Sequence, residues 1–178
     1  MDAAEKKLRD GVSYHEHIFF GSAGVKFIAY ERNRFIDNNV QRIVGKKICL
    51  KIISVNKALP KNYGSFNSEE DAISLEIKNE DMQKIAGVLY GVVDTHTAKI
   101  ARPNTSSKSV TLRRNNTGNY PYSITVSRDS QCFTTGFDAA TAHAFLMTIL
   151  YVLKLQYPGI DDQALLNSFV RLSVGIKS

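Results

Sequence analysis

Strand-forming runs arrive in this chain in two batches, each closed by one helical segment, and few folds accept that order. The first batch holds IFFGSAGVKFIAY within residues 15–30, RIVGKKICLKIISV from Arg42 to Val55 and AISLEIK from Ala72 to Lys78, all rich in β-branched and aromatic residues. Ile48, Leu50 and Ile52 alternate with Lys47, Cys49 and Lys51, so one face of that strand is apolar and the other cationic. The following NEDMQKIAGVLYG predicts a short amphipathic helix. Asn79 is its expected cap, Glu80 and Asp81 sit at the positive end of the helix dipole, Met82, Ile85, Ala86 and Leu89 form one stripe, and Gly91 is the stop. The second batch repeats the plan: SVTLRR from Ser109 to Arg114, a polar turn NNTGNYP, YSITVSR from Tyr122 to Arg128 and QCFTTGF from Gln131 to Phe137. Its helix is expected from near Asp138 to Tyr157, because Pro158-Gly159 cannot continue it. Leu89-Tyr90 and Leu150-Tyr151 then close matching helices 61 residues apart, which predicts a duplicated strands-then-helix unit of the α+β class.

The expected organisation is a flexible stretch over residues 1–13 and one domain over 14–178, with halves at 14–91 and 99–158 and a C-terminal helix at 160–173. With 178 residues, 43% of them hydrophobic and 22% charged, the chain can build one real core. MDAAEKKLRDG is of mixed charge and no apolar run follows it, so no secretory signal is legible and the protein is expected to work inside a cell, in the cytoplasm. The longest apolar stretch, Ala142 to Leu155, is interrupted by His143, Thr148, Tyr151 and Lys154 and falls short of the roughly 20 residues that cross a bilayer. Cys49 and Cys132 lie far apart and suit a reducing compartment better than a disulfide framework.

The positive charge lies in the strand batches. Residues 1–60 carry 11 Lys or Arg against 6 Asp or Glu, and residues 101–136 carry 5 against 1, while the two helical regions are acidic or neutral. A basic sheet with aromatic residues suits a polyanion with exposed bases, since cations replace the counterions of the phosphates and rings stack on unpaired bases. The candidates are Lys26 and Tyr30 in the first strand, Lys47 and Lys51 in the second, and Lys108, Arg113, Arg114 and Arg128 in the second batch. Lys47 and Lys51 share a face about 13 Å apart, commensurate with phosphates along an extended strand. Each of these cations could equally serve solubility on the wet face of an antiparallel sheet. Tyr63 and Phe66 in the loop KNYGSFNSEED, and Tyr120 in NNTGNYP, are candidate stacking rings, with a ring folded over the sheet edge as the alternative. Phe19, Phe27, Phe133 and Phe145 read as core.

Chemistry is not legible. The chain has no G-x-x-x-x-G-K-S/T, no G-x-G-x-x-G and no G-x-S-x-G, so neither a phosphate cradle nor a nucleophile elbow can be placed. His15, His17, His96, His143 and the two cysteines show no metal-ligand spacing, and Glu69-Glu70-Asp71 reads as a solvated turn. No enzyme, cofactor or metal is expected.

Four segments together resemble the Whirly family and related transcriptional-coactivator-like single-stranded-DNA-binding domains. FFGSAGVKFIAY is similar to the family's first strand, SLEIKNEDMQKIAGVL to a strand entering its first helix, SKSVTLRRNNTGNYPYSITVS to the hairpin that follows, and FDAATAHAFLMTILYVLKLQYP to its closing helix. The resemblance implies two packed antiparallel sheets, each followed by a helix, and subunits assembled through the helices. It marks the chain as a distant relative, with a viral or plasmid-borne source suggested by its divergence. One departure is plain: where the family's first strand places lysines on either side of a glycine, Phe20 and Ser22 flank Gly21 here, so any role of those lysines does not carry over. Ala142, Phe145, Leu146, Met147, Ile149, Leu150, Val152, Leu153 and Leu155 encircle the second helix, which should therefore be covered on its far side by DDQALLNSFVRL or by another subunit. The expected function is sequence-independent binding of single-stranded DNA in replication, recombination or transcription by a homo-oligomer. RNA binding or annealing on the same face, and a protein-assembly or inhibitor role for the apolar helix, are the alternatives.

Overall fold

In a computed structural model the chain is described over residues 10–36, 39–56, 66, 71–100, 106–116 and 118–174. Its elements run β1 (Asp10–Phe20), β2 (Ala23–Ile36), β3 (Asn39–Asn56), β4 (Ala72–Ile77), α1 (Asn79–Leu89), β5 (Thr95–Ile100), β6 (Lys108–Arg114), β7 (Tyr122–Arg128), β8 (Gln131–Phe137), α2 (Ala139–Gln156) and α3 (Asp162–Val174). They form two four-stranded antiparallel sheets in sequential order, β1-β2-β3-β4 and β5-β6-β7-β8. Each sheet is followed by a helix, as the alternation of the sequence predicts. Each sheet also holds one strand more than expected. The run over residues 15–30 turns back at Gly21-Ser22 into a hairpin, and Thr95–Ile100 forms an edge strand ahead of β6. β1 starts at Asp10, inside the stretch expected to be flexible.

Alternation decides which side chains meet. On the first sheet Val25, Phe27 and Ala29 lie opposite Ser54, Ile52 and Leu50, which lie opposite Ile73, Leu75 and Ile77, and all but Ser54 join the main hydrophobic core. On the second sheet Val110, Leu112, Ile124 and Val126 do the same. The helices close this core: Met82, Ile85, Ala86 and Leu89 bury the predicted stripe of α1, and Phe145 of α2 stacks on Phe27 with ring centroids 4.4 Å apart. Phe19 and Phe133 pack against the same core, in line with their reading as core residues.

The helix ends follow local chemistry, with two corrections. The residue at the α1 cap is Lys78, without a side-chain cap bond, and Asn79 instead donates to the Tyr157 hydroxyl at 3.0 Å. Gly91 does stop α1, at φ +79°, with Gly91 N donating to Val88 O and Val92 N to Gly87 O. Asp138 caps α2 through a 2.8 Å bond from Thr141 N. Leu150-Tyr151 lies within α2 and does not close it, since the helix continues to Gln156. Gly159 (φ +96°) then turns the chain, and Lys154 meets Asp162 at 2.7 Å across the corner.

Among the described residues the expected covering of α2 is not found. α3 lies along α1, burying Leu165 and Phe169 in the main core, and leaves His143, Met147, Tyr151 and Leu155 exposed at four-residue intervals on α2. By length and composition alone α2 is long and apolar enough to cross a membrane, a test that core helices also meet. Ala142, Phe145, Thr148, Ile149, Val152 and Leu153 are nevertheless buried, and Phe145 sits on Phe27, the packing of a core helix.

Candidate nucleic-acid interface

The outer face of the first sheet carries the predicted cations. Register places Arg32 opposite Lys47, Tyr30 opposite Cys49 and Lys51 opposite Glu76, all pointing away from the core. Glu76 gathers these groups. Its carboxylate accepts from the Tyr30 hydroxyl at 2.8 Å, Arg32 Nη1 at 3.0 Å, Lys47 Nζ at 3.4 Å and Cys49 Sγ at 3.4 Å. Burial opposes its charge, but the Tyr30 hydrogen bond, Arg32, Cys49 and Lys47 together outweigh burial and hold the carboxyl below its ordinary value. Burial and then the Glu76 charge push the Cys49 thiol up to about 11. Burial, followed by the bond to Glu76, likewise keeps the Tyr30 phenol protonated far above its ordinary range.

These contacts alter the standing of individual residues. Lys26 is tied to Glu16 at 2.6 Å and mostly covered, so its charge is locally neutralised. Lys51 stands 5.7 Å from the centroid of the Tyr30 ring, a cation–π pair. Tyr30 anchors Glu76 and supports Lys51, and its hydroxyl is already used within the protein.

The cations converge at the neighbouring edge. A cleft of ≈ 960 Å³ opens between β4, the edge of the first sheet, and the end of the second sheet where β5 finishes and β6 begins. Arg32, Lys47, Lys78, Lys99, Lys108 and Arg128 line it, with Glu76 the one carboxylate among the described lining residues. Lys108 Nζ donates to the Ser74 carbonyl at 3.2 Å and ties one sheet to the other, while Arg128 Nη2 donates to Gln131 Oε1 at 2.7 Å. Lys78 and Lys99 are exposed and form no salt bridge with a described carboxylate, although, after the bond from Lys84, the Lys78 charge helps hold the Glu80 carboxyl below its ordinary value. A concave wall with six cations and one fixed anion focuses positive potential inward, raising the local concentration of an anionic ligand.

Of the residues singled out from sequence, Lys47, Lys108 and Arg128 line this cleft, and Lys51 and Tyr30 flank it through Glu76. Arg113 and Tyr120 lie at the far end of the second sheet, on its outer face or against it. Arg114 turns inward, where it bonds Asp94 at 2.9 and 3.2 Å and the Gly91 carbonyl at 3.3 Å, fastening the end of α1 to the sheet. Phe66 packs against Ile53, Val55 and Ala72 and serves as a lid on a small apolar cluster, so the sheet-edge alternative holds for that ring. Tyr63 lies outside the described residues.

Sequence reading missed Arg32, Lys78 and Lys99. Arg32 sits two residues beyond Tyr30 on the same strand face, a signal that was available. Lys78 reads as the last residue of the strand AISLEIK and not as a binding residue, and Lys99 belongs to the unread strand β5. His17 stacks on Phe27 at 5.1 Å and His15 faces Tyr151 at 6.3 Å, both as packing partners. Among the described residues no group of three His, Cys, Asp or Glu is placed to hold a metal.

With this geometry in place, comparison with solved structures identifies the fold. It is similar to that of the plant transcriptional regulator PBF-2, with a TM-score of 0.50 at 9% identity over 80% of each chain. It is similar also to WHY1 from Arabidopsis thaliana, with a TM-score of 0.52 at 10% identity over 94% of this chain and 95% of that one. No family model and no curated protein sequence matches the chain. Both neighbours are Whirly-family proteins, so the resemblance carried by the strand and helix segments extends to the three-dimensional fold.

Proposed function

We propose that this protein binds single-stranded DNA with little sequence preference, as a non-enzymatic factor acting inside the cell in transcription, replication or recombination. The observation that carries this reading is the cleft itself: six cations from the two sheets and the β4–α1 junction converge on one concave wall, with one internally bonded carboxylate among the described lining residues. A concave cleft between the edge of one sheet and the end of the other can receive the phosphates of one extended strand. The described lining has no aromatic ring, so the affinity there is chiefly electrostatic and insensitive to base identity. The fold likeness to a plant transcriptional regulator agrees with a nucleic-acid partner.

The test is a fluorescence-anisotropy titration with oligo(dT), a matched duplex and a matched RNA over a series of salt concentrations. Lys78→Ala with Lys99→Ala should weaken oligo(dT) binding and flatten the log–log salt slope by about 1.4, from ~0.7 per phosphate contact on single strands. An unchanged slope removes the cleft from consideration. Equal or stronger binding to RNA turns the reading to an RNA-binding protein on the same wall.

The exposed stripe on α2 supports self-association. Met147, Tyr151 and Leu155 are 46%, 40% and 43% exposed, which is costly for a solitary protomer and suited to a homo-oligomer that aligns several clefts along one strand. The same stripe favours the second reading, recruitment of a different protein.

A further inference from the structure

The outer face of the second sheet is of a different character from the cleft. Cross-strand hydroxyl pairs pave it: Thr97 with Thr111 at 2.9 Å, Ser109 with Ser127 at 2.7 Å and Thr125 with Thr134 at 2.9 Å. Its charged side chains among the described residues are Lys99 and Arg113, and no carboxylate stands on that face of β5 to β8. Lys99 belongs to both surfaces, since it lines the cleft and begins this face. Arg113 lies opposite Thr95, four residues along β5 from Lys99, a distance of about 14 Å.

Beyond Arg113 the same row continues to Ser123 and then Gly136. The ring of Tyr120 is seated on Gly136: a Cβ at that position would lie 2.7 Å from Tyr120 Cδ2 and 2.9 Å from Cγ. The backbone behind the ring is pinned, with Asn115 Nδ2 donating to the Tyr120 carbonyl at 3.1 Å and Asn115 N to the Pro121 carbonyl at 2.8 Å. Tyr120 nevertheless remains 51% exposed. A ring laid against a glycine backbone, held by its turn and half open to solvent is a stacking platform whose ordering cost has been met in the fold. Among the described residues neither the Tyr120 hydroxyl nor the Arg113 guanidinium makes a hydrogen bond or an ion pair. Arg113 stands two strands from the seat of the ring, about 10 Å away, within reach of the phosphate of a base stacked on Tyr120.

We infer that Tyr120 and Arg113 form a second, nucleotide-sized site, taking one unpaired base and its phosphate from a strand that leaves the cleft at Lys99 and crosses the hydroxyl-lined face. This rests on the reading of the cleft as a single-strand site. It adds a base-contacting anchor to a cleft that holds phosphates, and it makes affinity depend on oligonucleotide length.

The test combines photocrosslinking of 5-iodouracil-substituted oligo(dT), mapped by mass spectrometry, with anisotropy titrations of short and long oligo(dT). A crosslink at Tyr120 is expected with long probes. Tyr120→Ala should weaken long-probe binding by roughly five- to a hundredfold and leave short-probe binding unchanged, while Tyr120→Phe binds as the parent does. Gly136→Ala, which displaces the ring without removing it, should mimic Tyr120→Ala in part. Arg113→Ala, an exposed substitution that leaves packing intact, should lower the long-probe salt slope by about 0.7.

If Tyr120→Ala and Arg113→Ala bind long probes like the parent while Lys78→Ala with Lys99→Ala binds weakly, the second site is overturned and the cleft stands. If the lysine pair is dispensable while Tyr120 and Arg113 matter, the cleft reading fails and this site stands. Indifference of every variant, or no binding at all, overturns both.

Discussion

Glu76 on the edge strand β4 accepts a 2.8 Å hydrogen bond from Tyr30 on β2, reaching across the intervening strand β3. The contact places a fixed negative charge on the rim of a cationic cleft, where it also engages Arg32 and Lys47. A nucleic-acid phosphate approaching that rim competes with this carboxylate for the same two cations. Glu76→Gln should therefore bind oligo(dT) more tightly, by roughly two- to fivefold at moderate salt, the order of one partly screened charge pair. Weaker binding by the variant in the same titration would mean that Glu76 positions its cations for the ligand.

The same carboxylate sets a pH dependence. Its folded pKa is lowered, so its contribution to stability is present above the ordinary carboxylate value near 4.3 and is lost as pH falls through the depressed folded value. The thermal midpoint of the parent should fall more steeply than that of Glu76→Gln as pH drops below about 4, and the two curves should run parallel from pH ~6 to 8. Parallel curves in acid would show that Glu76 contributes nothing to folding.

Cys49 and Cys132 should differ in reactivity. Cys49 is buried, with its thiol pushed up to about 11 by burial and then by Glu76, whereas Cys132 is exposed on β8. Thiolate is the reacting species, so titration with Ellman's reagent at pH ~8 should detect one thiol in the native protein and two in denaturant. Rapid reaction of both in the native protein would contradict the enclosed Tyr30–Cys49–Glu76 arrangement.

Much of this architecture is legible in the chain because period carries it. The alternation from Lys47 to Ile52 states which side of β3 faces water, and the Met82, Ile85, Ala86 and Leu89 stripe states which side of α1 is buried. Period fails where the pattern continues through a turn. Apolar residues on both sides of Gly21-Ser22 read as one strand, although Phe19 and Val25 are cross-strand partners in a hairpin. β5 escaped because its inward positions include His96, which is held by Asp81 at 2.9 Å. The cleft as a whole is not legible: Arg32 from within β2, Lys78 at the β4–α1 junction and Lys99 near the end of β5 are brought together only by folding, and no sequence spacing encodes the approach of one sheet edge to another.

Phe145 is the joint between the second half and the first. Its ring is 1% exposed and stacks on Phe27 at 4.4 Å, with the planes 19° apart. Phe145→Ala leaves a cavity beneath the first sheet and should cost about 3 to 5 kcal/mol in chemical denaturation, while Phe145→Leu should cost clearly less. Loss below about 1 kcal/mol would indicate that α2 does not seat on this sheet.

The exposed stripe of α2 makes a final distinction. Met147 and Tyr151 are half-covered in one protomer, so Met147→Glu with Tyr151→Glu should leave the fold intact, while two new carboxylates face each other in any assembly through this helix. Light scattering should show an oligomer for the parent and a monomer for the variant. The monomer should keep the affinity of a single cleft for a short oligo(dT), yet lose about 10²- to 10⁴-fold on a long one, because aligned clefts add avidity without new contacts. A variant that stays assembled places the interface elsewhere. A monomeric parent that binds long and short strands with equal affinity assigns the stripe to a different protein partner.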